Sequence, residues 1–326
     1  MGHRYRGAIA AQAVALLLCA CSAADFKQPI AAFADQTNAA KTTFQGYATS
    51  LDQVNHEQNL ADIAREPKLL FVPASDCKRA SKRCQLFIDD GRRRRLNASI
   101  VPNITAIMNG LSTYATNLNA IATADSAGEI KTAVDAANTN LIGLAKAADG
   151  LNKQLGRTTT LETQVTALAT PLADIVTLAL TTYVEQVKLQ ALRDATERME
   201  SIFPQVTSVL VEVGETDNSI KTTSLFLKFN DAQVAFKSAA PEERLAKLTA
   251  MEAAADAYDR GLNADPGAPF IKLAMAHTAL TNALRSPDPS FEQVFAFIQQ
   301  VADAVTRLAN DAKAIDKALN PPQPKP

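Results

Sequence analysis

Apolar residues recur in this chain at alternating spacings of four and three, and this pattern limits the possible folds more than any other feature. Such spacing places side chains along one seam of an α-helix. In chain order, the four seams consist of Phe26, Ile30, Phe33, Thr37, Ala40, Phe44, Tyr47, Leu51 and Val54; of Ile100, Ile104, Ile107, Leu111, Tyr114, Leu118 and Ile121; of Ile130, Val134, Ala137, Leu141, Leu144, Ala148, Leu151 and Leu155; and of Phe291, Val294, Ile298, Val301, Val305, Leu308, Ala312, Ile315 and Leu319. Because the same four-three spacing recurs in four segments, the sequence predicts long helices that pack at small crossing angles.

Further helices are predicted between the seams, over residues 161–200, 202–236, 241–262 and 270–284. Pro171 is a candidate kink in the first of them. Pro241, followed by two glutamates, is typical of a helix start, and proline-rich breaks follow at 265–267 and 286–289. Residues 209–229 also fit a β-hairpin around a turn at 214–218, but their flanks continue the helical period, so we predict helix.

The pattern as a whole predicts an all-α protein, an elongated bundle of about seven or eight mostly antiparallel helices with heptad-like seams. No flexible linker divides the chain, so residues 21–320 are interpreted as one domain. A small disulfide-closed loop or hairpin insert is predicted at 67–101. The proline-rich residues 321–326 are expected to form an extended or disordered tail.

The N-terminus has the parts of an export signal. Arg4 and Arg6 precede an apolar run over residues 8–18, which Gln12 interrupts. A membrane-spanning helix needs about 20 apolar residues. The run is therefore interpreted as a cleaved signal.

The junction Leu18-Cys19-Ala20-Cys21 resembles the lipobox of bacterial lipoproteins, although Cys19 stands where Ala, Ser or Thr is more usual. The resemblance covers the signal peptide alone. It implies removal of residues 1–20 and attachment of lipid to Cys21, whereas the alternative is ordinary cleavage after residues 22–24 without lipid. Ser22 in the next position resembles an outer-membrane sorting rule. We thus expect a lipid-anchored, periplasm-facing protein of the bacterial cell envelope, at the outer rather than the inner membrane.

Two cysteines remain in the mature domain, Cys77 and Cys84, with six residues between them. This separation is short enough to close a loop, and disulfides persist in the oxidising periplasm. A metal site would need further thiols or histidines nearby, and the segment has none. We predict a disulfide.

The same insert is strongly basic. Between Asp76 and Arg95 eight bases face three acids, a net charge of +5 in a chain whose overall net charge is −1. The bases are Lys78, Arg79, Lys82, Arg83, Arg92, Arg93, Arg94 and Arg95. Residues 69–72 and 85–88 are predicted to pair as short strands on either side of the cysteine loop.

The basic insert has two interpretations. It is either a helix connection kept soluble by its charges, or a contact for an anionic partner such as an envelope protein, a cell-wall polymer or anionic lipid. Nucleic acid is not expected in this compartment. If the first helix stands upright, the insert lies far from the anchoring membrane; if it lies flat, the insert reaches that membrane.

The sequence offers little catalytic material. His56-Glu57 begins like a zinc-protease motif, but Leu60 occupies the place of the second histidine. His277 lies in a helical segment, where we expect a surface or partly buried role. No catalytic residue, metal ligand or cofactor is predicted, and we expect no enzyme activity.

The leading hypothesis is a noncatalytic structural or interaction lipoprotein, acting as spacer, scaffold or accessory subunit of an envelope assembly. The alternative is a helical bundle that binds a small molecule or lipid between helices lined by Phe, Leu and Ala.

Overall fold

The computed structural model describes residues 22–65, 71–73, 86–88, 100–157, 161–168 and 184–319. A 3-10 turn, Ala23–Phe26, leads into the first helix. The helices are α1 (Lys27–Arg65), α2 (Ile100–Thr123), α3 (Ala127–Gln154), α4 (Leu161–Leu168), α5 (Val184–Glu200), α6 (Phe203–Ser238), α7 (Arg244–Asn263), α8 (Ala268–Arg285) and α9 (Phe291–Leu319). The predicted all-helical bundle is confirmed.

The four seams form the core of this bundle. Every seam residue from Phe26 to Tyr47 and from Ile104 to Ile121 is buried, as is every one from Ile130 to Leu151. In α9, Val294, Ile298, Val301, Val305 and Leu308 are buried as well. Leu155, Phe291 and Ala312 are only partly buried and pack against this core. The side chains of Leu51, Val54, Ile100 and Leu319 lie outside the described ones. The seam prediction is confirmed for the buried members.

The ambiguous segment 209–229 is helical. It lies wholly within α6, which begins at Phe203 with Pro204 in its first turn and continues to Ser238. Proline is favoured there because the first helical N–H groups have no partner within the helix. The β-hairpin alternative is therefore wrong, and the helix prediction is confirmed.

Helix α1 packs against α2, α6, α8 and α9. Consecutive helices form the pairs α2–α3, α6–α7 and α8–α9. Helices α1 and α8 are antiparallel, because Phe33 meets His277 whereas Phe44, eleven residues later, meets Phe270. Helix α6 runs parallel to α1, since Phe33 meets Phe203 and Tyr47 meets Lys221.

Two apolar clusters hold the bundle together. The main core includes residues from α1 to α6, α8 and α9. A small second cluster joins Leu225 of α6, Ala257 and Ala264 around α7, and Ile315 of α9.

Because α1 and α6 have 39 and 36 residues, each is on the order of 55 Å long, longer than the 24-residue α2.

Two short strands lie in the insert. Phe71–Pro73 and Leu86–Ile88 pair antiparallel, with Phe71 opposite Ile88 and Pro73 opposite Leu86, and the second strand contacts α1. They overlap the two segments predicted to pair. Cys77, Cys84 and the eight basic residues of the insert lie outside the described residues, and so do Cys21, Pro171 and the tail 321–326.

Candidate functional site

The described part of the chain includes Ser22, the residue that follows Cys21. The Ser22 hydroxyl accepts a hydrogen bond from the backbone N–H of Ala24 at 3.0 Å, and the Asp25 carboxylate accepts one from the N–H of Ser22 at 2.9 Å. This reciprocal cap satisfies backbone donors at the start of the 3-10 turn. Ala23 and Phe26 are already buried in the main core. The chain is therefore tied to the bundle from Ser22 onward, and Ser22 is bonded directly to Cys21.

Helix α5 packs across this N-terminal end. Near its start, the Glu185 carboxylate accepts a hydrogen bond from the N–H of Ala24 at 3.1 Å. Near its end, Glu200 forms an ion pair at 2.6 Å with Arg285, the last residue of α8. Helix α5 also contacts α2 and α3.

One face of α5 is buried and the other is polar. Its buried residues are Val187, Lys188, Ala191, Leu192, Ala195, Thr196 and Met199. The intervening Gln186, Gln190 and Glu197 are exposed. None of the large apolar residues exposed in the described structure lies on this helix. Its outer surface is thus hydrophilic and of mixed charge.

At the end of α6 away from Phe203, the side chains are not buried. From Phe226 in α6 to Asp256 in α7 no residue is buried, and we call this segment the tip hairpin. It carries exposed apolar side chains: Phe226 is 43% exposed, Val234 65% and Leu245 76%. Leu245 and Val234 are the two most exposed large apolar residues described, which makes the tip hairpin a candidate contact surface.

A buried ion pair lies where α1 crosses α6. Lys221 Nζ is 3.2 Å from Asp217 Oδ2, and both side chains are at most 2% exposed. Lys221 Nζ also donates a hydrogen bond to the carbonyl oxygen of Tyr47 at 2.6 Å and lies 3.3 Å from the centroid of the Tyr47 ring. Burial raises the pKa of Asp217 to about 7, although Lys221 opposes the shift. Burial also lowers the pKa of Lys221.

Asn218 connects this pair to the surface. Its side-chain oxygen accepts a hydrogen bond from the Tyr47 hydroxyl at 2.9 Å, and its Nδ2 donates to the carbonyl oxygens of Gly261 and Ala264. Asn218 also lines a groove of about 660 Å³ between α6 and the α7–α8 connection. Ser219, Thr222 and Thr223 line the groove with it, as do the acidic residues Glu215 and Asp265.

His277 is fully buried, not at the surface or partly buried as predicted. Its ring stacks on Phe203 with centroids 4.4 Å apart, and a 2.8 Å hydrogen bond joins its Nε2 to the Tyr114 hydroxyl. Desolvation lowers the pKa of His277 to about 3, which keeps the ring neutral. Because aromatic rings fill the space around it, we interpret His277 as a packing residue.

The sequence did not single out Asp217 and Lys221, yet a signal for them was present. They continue the seam Val206, Leu210, Val213 at spacings of four. A search restricted to apolar residues passes over charged members of a seam, whereas opposite charges at i and i+4 on a buried face predict an internal ion pair.

Comparisons with known proteins give no relative. No protein-family model, no curated protein and no solved structure matches the chain.

Among the described residues, no group of three or more His, Cys, Asp or Glu side chains is arranged to hold a metal ion. No helix in the described ranges is long and apolar enough to cross a membrane.

Proposed function

We propose that this protein is a noncatalytic lipoprotein of the bacterial envelope, anchored through lipid on Cys21, whose bundle holds a contact surface away from the membrane. The observation that carries the proposal is the reciprocal cap of Ser22, which ties the residue next to Cys21 to the first turn of the bundle. When such a bundle stands upright on its anchor, it acts as a spacer, because helix length sets the distance of its far end from the membrane.

The tip hairpin is the contact surface in this proposal. Helix α6 extends about 45 Å from Phe203 to Val234 at 1.5 Å per residue. Val234 and Leu245 are the two most exposed large apolar residues of the described structure, and a partner that covers them would gain roughly 1.5–3 kcal/mol for each side chain fully buried. The basic insert, which follows α1, is a second proposed contact for an anionic envelope protein, polymer or lipid.

Site-specific crosslinking tests this function. A photo-crosslinking amino acid at Leu245 is expected to capture an envelope protein or cell-wall fragment in intact cells. The matched control is the same group at Ile142, which is 36% exposed on α3 of the main bundle. Capture at neither position, or equal capture at both, would count against a contact surface at the tip hairpin.

The polar groove favours a second candidate function, binding of a small molecule. Its hydroxyls and carboxylates suit a hydrophilic ligand with several hydrogen-bonding groups, unlike the apolar ligand expected between the helices. Mass spectrometry of protein purified without denaturation is expected to reveal such a ligand, and Ser219→Ala, which removes an exposed hydroxyl-bearing side chain of the groove, is expected to weaken its retention. Purified protein that carries no ligand, in wild type and variant alike, would exclude this candidate.

A further inference from the structure

The outer face of α5 lies beside the point at which the proposed lipid is attached. Consecutive Cα atoms are about 3.8 Å apart, so Cys21 is held within that distance of Ser22. The Ser22 cap and the buried Ala23 fix Ser22 against the bundle. The hydrogen bond from Ala24 to Glu185 then places the first turn of α5 next to the chain start.

We propose that the polar outer face of α5 rests on the head groups of the anchoring bilayer, so that the bundle stands on α5 with the tip hairpin away from the membrane. This inference rests on the proposed lipid at Cys21. In this arrangement the protein contacts the membrane through α5 as well as through the lipid. The bundle then stands upright on the membrane and does not lie flat.

The chemistry of the face suits a head-group layer. Gln186 and Gln190 are exposed hydrogen-bonding groups, and Glu197 is paired with Arg285 at 2.9 Å. Arg193 donates a hydrogen bond to the carbonyl oxygen of Leu284, so its charge lies near the C-terminal end of α8, as Arg285 does. Zwitterionic head groups present both signs of charge, which matches a face that carries both. Without an exposed large apolar residue, α5 is expected to lie on the surface and not to insert into the hydrocarbon.

Tryptophan fluorescence provides the test, because the chain contains no tryptophan. Single tryptophans are placed by Gln190→Trp in α5 and by Val234→Trp in the tip hairpin, with Ile142→Trp and Met275→Trp as exposed controls on α3 and α8. Each full-length, lipidated variant is incorporated into phosphatidylcholine vesicles that carry a nitroxide on the head group. Equal melting temperatures establish that the variants share one fold.

Loss of most of the Gln190→Trp fluorescence, with little quenching at the other three positions, is the expected result. Quenching of Val234→Trp or of one control as strong as that of Gln190→Trp would overturn the upright orientation. Protein that does not associate with the vesicles, while carrying no fatty acid, would overturn the anchor and this inference together. Lipid-bearing protein without preferential quenching at Gln190 would overturn the inference alone.

Discussion

The Tyr114 hydroxyl and Nε2 of His277 lie 2.8 Å apart in the centre of the main core, and this hydrogen bond pairs two polar groups that water does not reach. Phe33 and Phe203 surround the pair. Burying a polar group without a partner costs free energy, so each of the two residues depends on the other.

Tyr114→Phe is therefore expected to lower the free energy of unfolding by about 1–3 kcal/mol, since Nε2 of His277 loses its partner. Urea denaturation measures the change. Tyr258→Phe, in the half-buried aromatic cluster of the α6–α7 pair, is the matched control and should have a smaller effect. Equal losses in the two variants would contradict the role of the buried hydrogen bond.

His277 should also make the fold sensitive to acid. Its pKa is about 3 in the folded protein and about 6.5 in an unfolded chain. A lowered pKa contributes stability that is present above pH 6.5 and is lost as the pH falls toward 3. His277→Gln is expected to flatten the stability profile over that window, as measured by urea midpoints at successive pH values. A variant profile parallel to that of wild type would show that His277 does not cause the loss.

Asp217 is expected to act in the opposite direction. Burial raises its folded pKa to about 7, above the unfolded value of about 3.9. The neutral form is thus favoured in the fold, and its contribution to stability is lost as the pH rises from 4 through 7. Asp217→Asn should remove this dependence. The measurement is the difference between wild-type and variant urea midpoints from pH 4 to 8, and a constant difference would contradict the raised pKa.

The ion pair itself predicts a non-additive mutant cycle. Lys221→Met leaves the Asp217 carboxylate buried without its cation, and breaking such a pair typically costs about 3–5 kcal/mol. Adding Asp217→Leu to that variant is expected to restore much of the stability, because two well-packed apolar residues need no charge partner. A double variant less stable than either single variant would contradict this expectation. It would show that the attraction between the two charges outweighs the free-energy cost of desolvating them.

The disulfide predicted between Cys77 and Cys84 has a direct chemical test. Denatured, unreduced protein from the periplasm should resist alkylation at both cysteines and become reactive at both after reduction, which mass spectrometry of the peptides detects. Alkylation without prior reduction would show that the insert is not closed.

Most of the helical framework could be predicted because burial of a helix seam leaves a repeating trace in the sequence. The seam from Ile104 to Ile121 is an example, since every member is apolar and every member is buried. Helix α6 was harder, because Asp217 and Lys221 interrupt the apolar pattern at a position that turned out to be internal. Their burial depends on Tyr47 of a distant helix, which no local pattern contains.

The candidate contact surfaces were less predictable. The exposure of Val234 and Leu245 is set by where neighbouring helices end, which is a property of the assembled bundle. Likewise, the proposed membrane contact of α5 depends on the position of this helix beside the chain start, where Ala24 donates a hydrogen bond to Glu185, 161 residues away in sequence.

Lipid on Cys21 is proposed to anchor a bundle to which the next residue, Ser22, is tied by its cap. Metabolic labelling with radioactive fatty acid, followed by membrane fractionation, tests it most directly. Wild-type protein is expected to incorporate label and to sediment with membranes, whereas Cys21→Ser should do neither while retaining a wild-type melting temperature. An unlabelled wild type, or label that persists in Cys21→Ser, would contradict the account.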